Sequence, residues 1–445
     1  MYDVQIVNAR MVTEQGQIDG CITIKNGKIE AISSSPLGNA KETVDAKGFL
    51  VMPGFIDQHV HFMDPGDTER EDFIHGTTAA AMAGVTTVIE HTHSHPIRSV
   101  ADFHNKKEYV EKRALVDFGL AAHIWPGEYE ELEKLWQEGI SYFKMFTCTT
   151  HGVPGHDNAS LYGAFARIAS FGGKVLIHCE DESVTAKNEK ILKANNRMDG
   201  RVIQDWRSKA AEAVSVADVC FIAKETGAHV TIAHLSHPNI VRIVQQAKAN
   251  GANVLAEICP QYLYLEEKTL AERGPFGKFT PPARSAQESE ELMELVSIGE
   301  LDILASDHAP ATKEQKIRGT IWTSPFGLPG IDTTSAVMLT AVNKNKLSLE
   351  RFVQMYAENP AKTLGLYPRK GSIRVGADAD LVLVDMKKKW VIEEASIQSK
   401  AKWSPFTGFE CIGKPVMTIL RGQIIMADGK LLGKPGNGQY IKRVQ

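Results

Sequence analysis

The chain has 445 residues, 43% of them hydrophobic and 23% charged, and its 50 basic and 54 acidic residues leave a net charge of −4. Such a composition is ordinary for a globular, enzyme-sized protein, and well-mixed charge gives no electrostatic footprint for nucleic acid or an anionic membrane. There is no apolar stretch of membrane-span length, the N-terminus begins on a strand-like pattern and not a signal peptide, and the six cysteines (Cys21, Cys148, Cys179, Cys220, Cys259, Cys411) form no Cys-x-x-Cys, so a soluble cytoplasmic protein with reduced thiols is expected.

The first fifty residues read as β-structure. Asp3-Val4-Gln5-Ile6-Val7 alternates, and Cys21-Ile22-Thr23-Ile24-Lys25 passes through Asn26-Gly27 into Lys28-Ile29-Glu30-Ala31-Ile32, a hairpin with a two-residue turn. Short apolar strands then alternate with amphipathic stretches. The strands are expected at 55–62, 86–91, 117–124, 142–147, 175–180, 229–236, 253–260 and 302–308. The helices are expected near 71–83, 99–114, 128–138, 158–171, 202–226, 239–249 and 286–298, with more after 332. Eight strands alternating with helices over roughly 300 residues is the count of a (β/α)8 TIM barrel. A doubly wound open sheet is the structural alternative, and the absence of Gly-x-Gly-x-x-Gly after any strand leaves dinucleotide binding unsupported. Strand-like Asp380-Leu381-Val382-Leu383-Val384 and Val416-Met417-Thr418-Ile419-Leu420, with a turn at Asp428-Gly429, return to the style of the N-terminus. The expected fold is therefore an α/β chain of three segments. Residues 1–51 form the first part of a small β-sandwich built by both termini, 52–365 the barrel, and 366–445 the second part of the β-sandwich with a C-terminal tail.

In such a barrel, chemistry sits at the C-terminal ends of the strands. Those ends carry His59 and His61, then Lys144, His178, His234 and Asp307, each closing an apolar run. Alternation along a strand puts His59 and His61 on one face, close enough to share a cation, and imidazole is the commonest protein ligand for zinc-like metals. A lone polar residue at a strand end is more often a satisfied rim residue, but five strands carrying this set make independent accidents improbable. Lys144 stands apart, because an ammonium repels a metal. It either pairs with an acid or is converted by carbon dioxide into an anionic carbamate, and the residues alone leave both open.

These residues resemble the cyclic amidohydrolases, a group that includes hydantoinase/dihydropyrimidinase, allantoinase and dihydroorotase within the metal-dependent amidohydrolase superfamily. The resemblance runs from about Met52 onward through Pro53-Gly54-Phe55-Ile56-Asp57, Gly84-Val85-Thr86-Thr87, Cys259-Pro260-Gln261-Tyr262, Thr280-Pro281-Pro282-Ala283-Arg284, Asn359-Pro360-Ala361-Lys362 and Gly376-Ala377-Asp378-Ala379-Asp380. It implies two divalent metal ions, usually zinc. His59, His61 and Asp307 would hold one and His178 and His234 the other, bridged by a carboxylated Lys144 and a hydroxide. It further implies hydrolysis of a cyclic amide or ureide C–N bond, with Asp307 as the catalytic proton carrier, and a homodimer or homotetramer.

Departures from the family pattern bear on substrate. Dihydroorotases place a carboxylate-gripping arginine where Met63 stands, which argues against that activity. Hydantoinases place an oxyanion-stabilising tyrosine where Thr149 stands. The stretch His61–Glu69 looks like allantoinase except that Asp67 replaces the usual arginine, Phe326–Gly330 is closer to allantoinases and dihydroorotases, and Gly365–Gly371 is worded like a hydantoinase. A hydantoin- or dihydropyrimidine-type ring is expected, with allantoin the alternative; a non-catalytic scaffold of the dihydropyrimidinase-like kind is a remoter reading, since no ligand is missing. Substrate contacts are expected from Phe62, Met63, Thr149, Thr280 and Phe326, and from His91 and His93 in Glu90-His91-Thr92-His93-Ser94-His95, a stretch without counterpart in the family. Its histidines either line the pocket or face solvent. His123 carries the same ambiguity, and His151 and His156 are candidates for a lid.

Overall fold

The computed structural model describes residues 1–91 and 93–443. Thr92, within the histidine-rich stretch, lies outside the described residues, as do the last two residues of the 366–445 segment. Eight parallel strands follow one another in sequence order: Phe55–Val60, Val85–Glu90, Asp117–His123, Tyr142–Phe146, Lys174–His178, His229–Ile232, Val254–Ile258 and Ile303–Leu304. The first and last strands meet where the His61 amide donates to the His308 carbonyl at 2.7 Å, closing the barrel and ruling out the open-sheet alternative. All eight expected strands are present, but each stops one to four residues early, so several of the chemistry-bearing residues sit just past the regular ladder.

Inward-facing Ile56, Ile89, Ala121, Tyr142 and Leu176 fill the lower barrel, and Leu364, Leu366 and Ile441 close its floor. A packed lower half leaves only the upper rim open to ligands. Among the surrounding helices, Glu182–Ala194 was not expected. It buries only Thr185 and Leu192, too narrow an apolar stripe to show in the sequence pattern.

Strands from both ends of the chain form a separate nine-stranded sheet with its own apolar core, including Ile6, Met11, Ile22, Leu381, Leu383 and Ile419. Leu50–Pro53 knits the two ends together, running parallel to Tyr2–Thr13 and antiparallel to Leu381–Val391. Asn26-Gly27 and Asp428-Gly429 both turn through left-handed backbone, as two-residue hairpins require. All six cysteines are buried and unpaired, and no helix among the described residues is long and apolar enough to cross a membrane.

Candidate metal centre

The first strand does not simply alternate. Its pairing with the second slips by one residue between Asp57 and Val60, a β-bulge. The bulge turns consecutive side chains, Gln58 and His59, toward the barrel axis, where both reach Glu257. Lys144 and His178 arrive by ordinary alternation above Tyr142 and Leu176. His234 and Asp307 follow their strands in left-handed backbone, with φ of 40° and 48°, a conformation that L-residues adopt at a cost and that clusters at functional sites.

Together these residues line one small cavity: His59, His61, Lys144, His178, His234 and Asp307, joined by His93, Phe146, His151, Phe279, Thr280 and Phe326. His59 Nε2 and His61 Nε2 lie 3.5 and 3.3 Å from Asp307 Oδ1. The other nitrogen of each ring is already committed. His59 Nδ1 meets Glu257 Oε1 at 2.8 Å, and His61 Nδ1 meets the His91 carbonyl at 2.6 Å. Because both of those partners are acceptors, the ring protons sit on Nδ1 and both Nε2 atoms present lone pairs. Two imidazole lone pairs and a carboxylate oxygen thus face one another.

A second focus lies beside it. His178 Nε2 donates to Glu180 Oε2 at 2.7 Å, leaving its Nδ1 lone pair 3.0 Å from His234 Nε2, while His234 Nδ1 is buried without a partner among the described residues. Lys144 Nζ lies 2.8 Å from His59 Nε2 and, among the described residues, forms no ion pair. Burial pushes its ammonium below the usual lysine range, against the pull of Asp307 and Glu257. Burial also drives His59 and His234 far below ordinary histidine values, with Lys144 adding to the first and His178 to the second. Burial alone would raise the Asp307 carboxyl, but the His61 and His234 rings beside it hold it below the usual range.

Neutral imidazoles and a carboxylate converging beside a buried lysine are the donor set of a centre for zinc-class cations, and the residues fit one. His59, His61 and Asp307 also place one ligand atom each within 4.8 Å of one another. Two other groupings meet that spacing, but their acidic members are already engaged by protein partners. Glu180 is neutralised by Arg207 at 3.2 Å and takes the Thr280 hydroxyl at 2.7 Å, while burial pushes the adjacent Cys148 thiol up to about 12. Asp72 caps the helix Phe73–Met82, and Glu71 bonds His308 and Ser399.

Of the expected substrate contacts, Thr280, Phe326 and His93 line the cavity, and four others do not. Phe62 packs beneath the rim against Phe73 and His308. Met63 is buried outside the lining with φ 57°. His91 is tied below to the Gln58 carbonyl at 2.8 Å. Thr149 turns outward, its hydroxyl accepting from the Gly155 amide. His95 is exposed, His156 is held by the Ile124 carbonyl, and His123 Nε2 lies 3.2 Å from His93 Nδ1.

Sequence reading missed Glu257 and Glu180. Glu257 accepts from His59 Nδ1, from Gln58 Nε2 at 2.7 Å and from the His234 amide at 3.2 Å, so one carboxylate orients residues of both foci. Its signal was available: an acidic residue inside the apolar run Val254-Leu255-Ala256-Glu257-Ile258 needs partners.

Comparison with known proteins agrees with this arrangement. Residues 50–425 match the amidohydrolase family. An L-hydantoinase from Paenarthrobacter aurescens is 34% identical over 453 residues, spanning 100% of this chain and 98% of that protein. A dihydroorotase from Methanosarcina mazei is 32% identical, spanning 99% and 98%. The solved structure of an L-hydantoinase (dihydropyrimidinase) from Arthrobacter aurescens matches all of both chains with a TM-score of 0.95 at 34% identity.

Proposed function

The chain belongs to the amidohydrolase family, and on that premise we propose that it opens a hydantoin- or dihydropyrimidine-type ring by hydrolysing its amide C–N bond. It is a hydrolase of cyclic amides, in keeping with the full-length similarity to an L-hydantoinase. The observation that carries the reading is the convergence of the His59 and His61 lone pairs on Asp307 in a cavity at the upper rim.

In this proposal His59, His61 and Asp307 would hold one divalent ion and His178 and His234 a second, with Lys144, as a carbamate, serving both. Zinc is the metal that the imidazole-rich donor set favours. When bound, such a pair supplies a deprotonated water at neutral pH and polarises the scissile carbonyl. Among the described residues Lys144 makes no ion pair, which supports carbamylation over pairing with an acid. Glu257 and Glu180 fix the ring orientations of His59 and His178. Asp307 uses Oδ1 toward the imidazoles, which leaves Oδ2 to take a proton from the attacking water and deliver it to the leaving nitrogen. Phe146, Phe279 and Phe326 wall the cavity and limit bulk water around the ring.

The lining also argues about substrate. Apart from Lys144, no lysine or arginine lines this cavity among the described residues, so the carboxylate of dihydroorotate finds no grip. The test is a panel of hydantoin, dihydrouracil, allantoin, dihydroorotate and a cyclic imide, with enzyme loaded with zinc and bicarbonate. Turnover of hydantoin or dihydrouracil is expected. Turnover of allantoin alone would make the protein an allantoinase, and turnover of none would overturn the reading.

A further inference from the structure

His151 is the one cavity residue outside the proposed ligand set for which neither the fold nor the ligand set supplies a role. Thr150 and Val153 pair through reciprocal backbone hydrogen bonds of 3.1 and 2.9 Å, making His151-Gly152 the centre of a tight two-residue turn. Both central residues are left-handed, with φ of 55° and 78°. The segment then folds back so closely that a Cβ on Gly155 would lie 2.7 Å from the Cys148 main chain. His151 is therefore presented by a constrained hairpin tip and not by a slack loop. Its ring stacks on His93 at 4.7 Å with a 10° interplanar angle and meets Phe326 edge-on at 6.0 Å.

The other polar groups on this wall are engaged. Thr280 donates its hydroxyl to Glu180. His93 is hydrogen-bonded to His123, and its two faces are covered by His61 and His151. Among the described residues no hydrogen bond reaches either ring nitrogen of His151. A half-buried imidazole without partners, held rigidly over a reactive cavity, has a free N–H in either protonation state.

We propose that His151 is a catalytic residue that donates a hydrogen bond to the carbonyl oxygen of the ring amide as that oxygen gains negative charge. This assignment rests on the cyclic-amide reading above. Water's oxygen bonds to the carbonyl carbon, and the C–N bond breaks with its electron pair passing to nitrogen. The nitrogen takes up a proton, and the new acid releases one to solvent. His151 keeps its own proton throughout and stabilises charge only. A preorganised donor of this type is worth about 10²–10³ in rate. His93 is its positioning residue, supplying the stacked face that fixes the ring.

The test compares wild type, His151→Phe and His151→Gln for kcat, KM and zinc content on whichever ring the wild type opens. Phenylalanine keeps the stack on His93 but has no donor; glutamine restores a donor. The expected result is a fall in kcat of about 100-fold or more for His151→Phe, with KM within about threefold. His151→Gln should lie between His151→Phe and wild type, and zinc content should be unchanged in both. The inference is overturned by a His151→Phe enzyme within about threefold of wild-type kcat, by a loss confined to KM, or by loss of zinc, which would make His151 a ligand. A wild type that opens no ring would instead overturn the cyclic-amide reading itself.

Discussion

The two ends of the barrel bury charged groups in opposite ways. At the lower end Lys370 lies 2.8 Å from Asp117 and 3.4 Å from Asp378, and it also bonds Asp380, while Arg421 adds a second cation on Asp117. Those carboxylates hold the Lys370 ammonium above the ordinary lysine range despite its burial. Every charge there has an opposite, and together they fasten the barrel floor to the terminal sheet. At the upper end four imidazoles, Lys144 and Asp307 face one another around a cavity, and among the described residues Lys144 makes no ion pair. Buried polar groups that satisfy each other are structure; buried polar groups that converge unsatisfied await a ligand.

Substitutions sharpen that contrast. Lys144→Ala is expected to lower kcat by at least about 10³-fold, because it removes the proposed bridge between the two foci, while leaving the urea midpoint of the metal-free protein near that of metal-free wild type. Short carboxylic acids added to the assay should restore part of the rate. Lys370→Met should do the reverse. Leaving Asp380 buried without Lys370, and Asp117 with Arg421 alone, costs about 3–5 kcal/mol of stability, read by urea unfolding, while zinc content and kcat of the folded fraction stay unchanged. An Lys370→Met protein as stable as wild type would dissolve the distinction between the two ends.

Smaller effects follow from groups that support each end. Glu257→Gln keeps the shape of the side chain but weakens the acceptor that orients His59, so zinc affinity is expected to drop about 10–100-fold in a competitive chelator titration. At the start of the sixth strand, burial pushes His229 down to about 4, with Lys174 adding to the shift. Its folded value lies below the unfolded one, so it contributes stability fully above about pH 6.5 and loses it as pH falls toward 4. Between pH 7 and pH 4.5 wild type should lose roughly 2 kcal/mol more than His229→Gln in urea unfolding. Equal losses would show that His229 is not held neutral.

Much of the upper end was legible because strand-end chemistry is local. Val175-Leu176-Ile177-His178 and Ile303-Leu304-Ala305-Ser306-Asp307 each announce an apolar strand closing on a polar group, and the (β/α)8 count places such ends together. Less was legible where geometry depends on distant partners. The bulge that turns Gln58 inward beside His59 needs the second strand, and alternation alone could not show it. Thr149 and His151 are two residues apart in one loop, yet the tight turn at Gly152 sends only the second into the cavity. Ile441 plugs the barrel floor from a tail with no periodic pattern of its own. Glu180 carries no motif and Glu257 stands out only as an acid inside an apolar run, so the roles of both appear once the histidines they hold are in place.

The most direct test of the central claim is metal stoichiometry by mass spectrometric elemental analysis. Protein is purified with zinc and bicarbonate, and wild type, Lys144→Ala and Lys370→Met are compared. About two zinc ions per chain are expected for wild type and Lys370→Met, with clear loss for Lys144→Ala. Wild-type protein that retains no zinc, or Lys144→Ala that retains the full amount, would contradict a two-metal centre bridged by Lys144.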